Sequence, residues 1–241
     1  MAYYLNSYRP LIWTKFGQQA ANKHQLPYFL DASCRREPDF ENLFPSMTAI
    51  CRGSQGAVRL REGDFVAYAT VKRNYEPAAT SGRYLIGGFE AIMRCATHEA
   101  AADWYRVQGA PVPSNCFVAG NPPLAFDLTG GYSDSREYAK DLWERDQDPD
   151  GVKAFNYAQR IQNWDASYRA IIEGSANKKG NSAFVITKPI RLELVAPPLL
   201  TEAAVTQIFG GKFPNTRSLQ PIRKEQFEQL MQLLSPLAAG L

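Results

Sequence analysis

The chain has 241 residues, 45% hydrophobic and 21% charged, a composition that suits a packed core and excludes disordered and fibrous classes. Twenty-seven Lys and Arg against twenty-four Asp and Glu give a net charge of +3, too small a surplus to hold long nucleic acid by charge alone, so such binding needs a local site. No run nears the roughly 18 to 20 apolar residues of a membrane helix, and MAYYLNSYRP lacks a basic and apolar leader, which implies a cytoplasmic chain with no membrane partner.

In chain order, Tyr3, Leu5 and the run Leu11-Ile12-Trp13 indicate an opening strand broken by Pro10. A turn or two of helix fits Gln18 to Lys23, and Pro27 to Leu30 reads as extended. The charge-dense segment Asp31 to Glu41 reads as a loop, followed by a β-prone run from Met47 to Cys51. Two strands, Ala57 to Leu60 and Phe65 to Val71, flank the turn Glu62-Gly63-Asp64, and the second is apolar enough for burial on both faces.

Arg83 to Arg94 is a long strand interrupted by Gly87-Gly88, the mark of a bulge or a sharp barrel bend. Thr97 caps a helix over Glu99 to Val107, ended by Gly109. The proline-rich stretch from Pro111 to Pro123 allows at most a short strand at Asn115 to Val118. Two helices follow, from Asp134 to about Glu144 and from about Val152 to Glu173. Ala183 to Val195 is a strand pair or one strand bent at Pro189. Thr201 caps a short helix stopped by Gly210-Gly211, and a last amphipathic helix runs from about Ile222 with Phe227, Leu230, Met231 and Leu234 on one stripe.

Strands at both ends and helices between them describe one α+β domain over residues 1–241, with a helical insertion at about 130–180. The order of a strand, a charged loop, Arg61-Glu-Gly-Asp-Phe-Val-Ala-Tyr68 and Tyr84-Leu-Ile-Gly-Gly-Phe-Glu90 resembles the PUA-like superfamily of ASCH, EVE and YTH domains. Thr216 to Ile222, leading into the last helix, resembles the close of such domains. More narrowly, the chain is similar to the nucleotide-modification-associated domains of phage and bacterial DNA-modification systems. The resemblance implies a small PUA-like β-barrel with flanking helices, whose mouth takes a nucleobase flipped from its stack, an altered one in DNA ahead of RNA. The two histidines, the scattered cysteines and the lack of a Gly-rich phosphate loop give no expectation of a metal or cofactor, and the oligomeric state stays open.

Such a pocket needs an aromatic platform, directional hydrogen-bond groups and cations for flanking phosphates. Arg35, Arg36 and Asp39 are candidates for a phosphate or base-edge contact from a loop overhanging the mouth, against the alternative of a solvated, salt-bridged loop. Lys72 and Arg73, at a strand end beside Tyr75, fit phosphate contacts at a rim. Asn115, in the proline-stiffened loop with Ser114 and Asn121, fits a base-reading amide, and Trp104 or Tyr105 offers a stacking surface. Trp13, Tyr28 and Tyr68 suit either a pocket lining or plain core.

The competing class is an enzyme of a base-modification pathway that uses carboxylates of the Asp31 to Glu41 segment as acid, base or ligands for Mg²⁺ or Mn²⁺. Only His24 and His98 are present, and the four cysteines form no C-x-x-C pair, so the thiols read as reduced core residues.

Overall fold

The computed structural model describes residues 1–48, 57–75, 81–131, 183–216 and 218–234. Tyr3–Tyr8 (β1) is extended and ends just before Pro10. Thr14 caps Lys15–His24 (α1), its hydroxyl accepting from the Gly17 N–H at 2.9 Å, and the helix is longer than its apolar pattern suggests. The other strands are Ser46–Thr48 (β2), Phe65–Thr70 (β3), Arg73–Asn74 (β4), Ser81–Gly82 (β5), Leu85–Cys95 (β6), Phe184–Leu192 (β7) and Gln220–Ile222 (β8). The other helices are His98–Val107 (α2), Glu202–Phe209 (α3) and Lys224–Gln232 (α4).

A mixed sheet runs in the order β2-β7-β6-β3-β1-β8, while β4 and β5 form a separate ribbon. β1 lies parallel to β3, and the other neighbours are antiparallel. The chain is therefore α+β, but among the described residues the sheet does not close into the expected barrel. Its edge strands β2 and β8 are three residues long, and Pro221 in β8 has no N–H, so neither edge offers the row of donors that closure requires.

Side-chain alternation sends Tyr4 and Tyr8 of β1, with Val66 and Tyr68 of β3, to one face of the sheet. Tyr3 and Leu5, with Phe65, Ala67 and Ala69, point to the other, where Ile208 of α3 and Phe227 and Leu230 of α4 cover them. The first face is covered by the 27–40 segment through Phe29 and Phe40. Burial of β3 on both sides agrees with its unbroken apolar run. α2 packs Ala101, Ala102 and Tyr105 against Phe184 and Ile186, and Cys95 and Cys116 are buried free thiols in that cluster.

The paired glycines of β6 do mark irregular pairing, since the register against β7 shifts between Gly88 and Phe89. A Cβ on Gly87 would lie 2.6 Å from the Arg191 carbonyl oxygen, so the close backbone approach requires glycine there. The strand expected at Ala57 to Leu60 is absent, since Ala57–Arg59 forms a 3-10 turn, and residues 115–118 run through the loop without forming even a short strand. The helices expected at 134–144 and 152–173 lie outside the described residues. No helix among the described residues is long and apolar enough to cross a membrane.

Candidate functional site

A cavity of about 450 Å³ opens on the face of the sheet covered by the 27–40 segment. Its lining includes Asn6 and Tyr8 from β1, Tyr68 from β3, Trp13, and the two acids Asp31 and Glu37. Period-2 alternation in β1 puts Asn6 on the same face as Tyr4 and Tyr8, which is why a polar side chain appears there at all.

Asp31 is pinned beside the end of β1 by an isolated bridge to Pro10. Its Oδ1 accepts from the Ser33 N–H at 2.8 Å, the Ser33 hydroxyl and the Glu37 N–H at 3.0 Å. Its Oδ2 accepts a hydrogen bond from no described residue, although Asp31 is only 6% exposed. Glu37 is held from behind: the Thr48 N–H donates to Oε1 at 2.8 Å, and Oε2 accepts from the Thr48 hydroxyl at 2.6 Å and Asn115 Nδ2 at 3.3 Å.

Burial pushes the Glu37 carboxyl up to about 8 against the pull of the Thr48 bonds, and the nearby Asp31 charge adds to the rise. Burial also raises Asp31, partly offset by the Ser33 and Glu37 bonds. The cavity thus holds two proton-binding acids whose full ionisation is unfavourable without a ligand that supplies donors or positive charge.

The remaining wall is aromatic and fixed. Asn6 Nδ2 donates to the Tyr68 hydroxyl at 3.2 Å, Asn6 Oδ1 accepts from the Ser7 N–H at 2.9 Å, and the Tyr8 hydroxyl donates to the Phe29 carbonyl. Trp13 is half-buried, with the Arg9 and Arg73 guanidinium carbons 5.2 Å and 4.2 Å from its ring centroid. Both arginines are exposed and their guanidinium groups lie over the ring, so a cation-covered ring stands beside the acidic interior.

The candidates read from the sequence divide sharply. Arg35 and Arg36 are each 1% exposed, which corrects their placement in a solvated loop over a pocket mouth. Arg35 donates to the carbonyls of Ser114 and Asn121 at 2.9 Å and 3.0 Å and lies 4.2 Å over the Phe117 ring. Arg36 donates to the Asp31 and Leu128 carbonyls and to Glu41 Oε2 at 3.1 Å. Both stitch the 31–41 segment to the 114–128 loop, because buried carbonyls with no secondary-structure partner need donors and a guanidinium supplies several.

Asp39, 3% exposed, accepts from the N–H groups of Glu41, Asn42 and Ser114. Burial, with the Glu41 charge, pushes it up to about 6. Asn115 is buried behind Glu37, where it also accepts from the Ser46 hydroxyl at 2.9 Å, so it positions the acid and does not border the cavity. Trp104 packs edge-on against Phe44 on α2, apart from the cavity lining. Lys72 and Arg73 are exposed, and Arg73 reaches Trp13 as a rim cation.

The residues that reasoning from sequence did not single out are Asn6, Tyr8 and Arg9. The available signal was a polar residue between two tyrosines at strand spacing. His98 and Cys116 do not form a Cys–His nucleophilic pair: the His98 Nδ1 accepts from the Phe117 N–H at 3.0 Å, and the Cys116 thiol donates to the His98 carbonyl oxygen. Among the described residues no three His, Cys, Asp or Glu side chains gather as a metal site. Compared with known protein families, with curated proteins and with solved structures, the chain matches none.

Proposed function

We propose that the protein binds a nucleobase, an altered one in DNA ahead of RNA, in the cavity between Trp13, Tyr68, Asp31 and Glu37. The observation that carries this reading is the pairing of a Trp13 ring flanked by Arg9 and Arg73 with a buried, hydrogen-bonding interior. A base stacks on the aromatic face when the exposed guanidinium groups move off it to the adjoining phosphates, and interior carboxyl and amide groups discriminate between base edges. The resemblance to the PUA-like superfamily supports the same reading, here on an open sheet, in a cytoplasmic reader of modified nucleic acid. The test is fluorescence anisotropy with oligonucleotides carrying one plain or modified central base, at two salt concentrations. Preference for one base with a shallow salt slope is the expected result, and equal, weak binding to all of them overturns the reading.

A second reading, an enzyme of a base-modification pathway, draws on Asp31 and Glu37 bordering one cavity with raised proton affinities. Mass spectrometry of oligonucleotides incubated with the protein and Mg²⁺ separates the two: a mass change abolished by Glu37→Gln favours the enzyme, and unchanged mass with retained binding favours the reader.

A further inference from the structure

Given the base-binding reading above, the polar balance of the cavity narrows the base. Several donors around it are committed to protein partners. Thr48 donates through its N–H and hydroxyl to Glu37, and Ser33 through its N–H and hydroxyl to Asp31. The Tyr8 hydroxyl donates to Phe29, and Asn6 Nδ2 gives one of its two N–H groups to Tyr68. Arg9 is the cation of the lining and is exposed, whereas Arg36 turns its guanidinium to Asp31 O, Leu128 O and Glu41. The most buried group left toward the cavity is an acceptor, Asp31 Oδ2, an oxygen of a 6% exposed residue with no described hydrogen-bond partner.

Base edges differ in how they meet such a wall. Thymine and uracil present one N–H between two carbonyl oxygens, and either oxygen against a carboxylate leaves both acceptors unpaired and costs binding. Adenine and cytosine present one amine beside a ring acceptor. Guanine presents a ring N–H and an exocyclic amine side by side, two donors for the acceptor side of Asp31. We infer that this pocket takes a guanine-type base, with its ring N–H and exocyclic amine directed at the Asp31 carboxyl group and its plane toward Trp13.

The experiment titrates the full chain with guanosine, inosine and thymidine by calorimetry, and repeats the series with single-stranded oligonucleotides holding one central guanine, hypoxanthine or thymine. Inosine keeps the ring N–H and lacks the amine, so it binds more weakly than guanosine, by about 5- to 150-fold for one well-placed contact, and thymidine more weakly still. Asp31→Asn refines the test, because an asparagine Oδ1 still accepts from Ser33 and Glu37 while its amine replaces Oδ2 and reverses the hydrogen-bond polarity toward the cavity. This variant loses guanosine over the same range and narrows or inverts the preference over thymidine. Inosine or thymidine binding as well as guanosine overturns the donor-edge inference and leaves the base pocket standing. Absence of binding by every nucleoside and oligonucleotide overturns both. Should Asp31→Asn fail to fold, the series on the unaltered protein decides.

Discussion

The backbone N–H of Glu37 donates to Oδ1 of Asp31 at 3.0 Å, so the chain that joins these two acids also fixes their register at the cavity wall. One carboxyl organises the turn that presents the other. Thr48 of β2 and Asn115 of the proline-rich loop then hold Glu37 from behind, which ties the site to the sheet and to a second loop. A site assembled in this way is stiff, and stiffness gives a single shaped pocket a basis for base discrimination.

The first prediction concerns pH. Glu37 has a folded-state value of about 8 against an ordinary 4.5, so the folded protein keeps a proton that the unfolded chain releases. Its contribution is fully favourable below 4.5 and is lost as pH rises through 8. Asp39 acts with the same sign between 3.8 and about 6, and Asp31, also raised by burial, adds to the same trend, so the Glu37→Gln variant separates the Glu37 share in the interval from about 6 to about 8. Urea denaturation across that interval shows stability falling with pH, by less than about 1.4 kcal/mol per pH unit because Glu37 is only half-buried. Glu37→Gln flattens the slope, and an unchanged slope in that variant refutes the assignment.

Arg35 carries the second. Replacing it with Ala removes the donor of the Ser114 and Asn121 carbonyls and the cation over Phe117, so the protein is destabilised by about 3 kcal/mol. A solvated loop arginine would cost no more than about 0.5 kcal/mol. Arg35→Lys keeps the charge but not the planar fork and restores little. A melting temperature close to that of the unaltered protein would show that the arginine does not stitch the loops.

Much of the frame was legible because local chemistry sufficed. Thr97 and Thr201 cap helices where the capping pattern put them, their hydroxyls accepting from Ala100 and Ala204. The apolar run of β3 announced burial on both faces, and Gly87-Gly88 announced irregular pairing. What stayed hidden depends on distant partners. Arg35 and Arg36 looked solvated because nothing nearby in the chain shows that loop carbonyls some 80 to 90 residues onward lack donors. Sheet closure was not written either, since edge-strand length is set by which segments meet. The aromatic residues Trp13 and Tyr68 suited pocket and core equally, and only the position of the acids beside them gives the pocket its chemistry.

Gly17 sets two opposing effects against each other. Alanine is favoured over glycine by about 1 kcal/mol within a helix. A Cβ at this position, however, collides with the Leu11 carbonyl oxygen and comes 3.2 Å from Gly130 Cα, both backbone atoms that cannot swing away. The collision prevails, and Gly17→Ala destabilises the protein by about 1 to 3 kcal/mol. Gly130 also lines the cavity and its carbonyl accepts from the Thr14 hydroxyl at 2.6 Å, so oligonucleotide affinity falls together with the melting temperature. A stabilised variant would refute the packing argument.

Trp13 provides the most direct test of how a base enters. If its ring is the stacking platform, Trp13→Ala costs about 1 to 3 kcal/mol of binding to a single-stranded oligonucleotide, and Trp13→Phe, which keeps a smaller π face, recovers part of it. Trp13 also packs against the core beside Tyr75, with ring centroids 6.3 Å apart, so the Ala variant loses some stability as well. The Phe variant therefore separates a stacking defect from a folding defect. Arg9 and Arg73 answer a different question, because both are exposed and lie over the Trp13 ring. If each meets a phosphate, Arg9→Ala and Arg73→Ala weaken binding to all sequences alike and each lowers the salt slope by about 1. Lys72→Ala, a neighbour with no described contact to Trp13, serves as the control for general charge. Normal affinity in Trp13→Ala, or salt slopes unchanged in both arginine variants, would remove this rim from the path of the ligand.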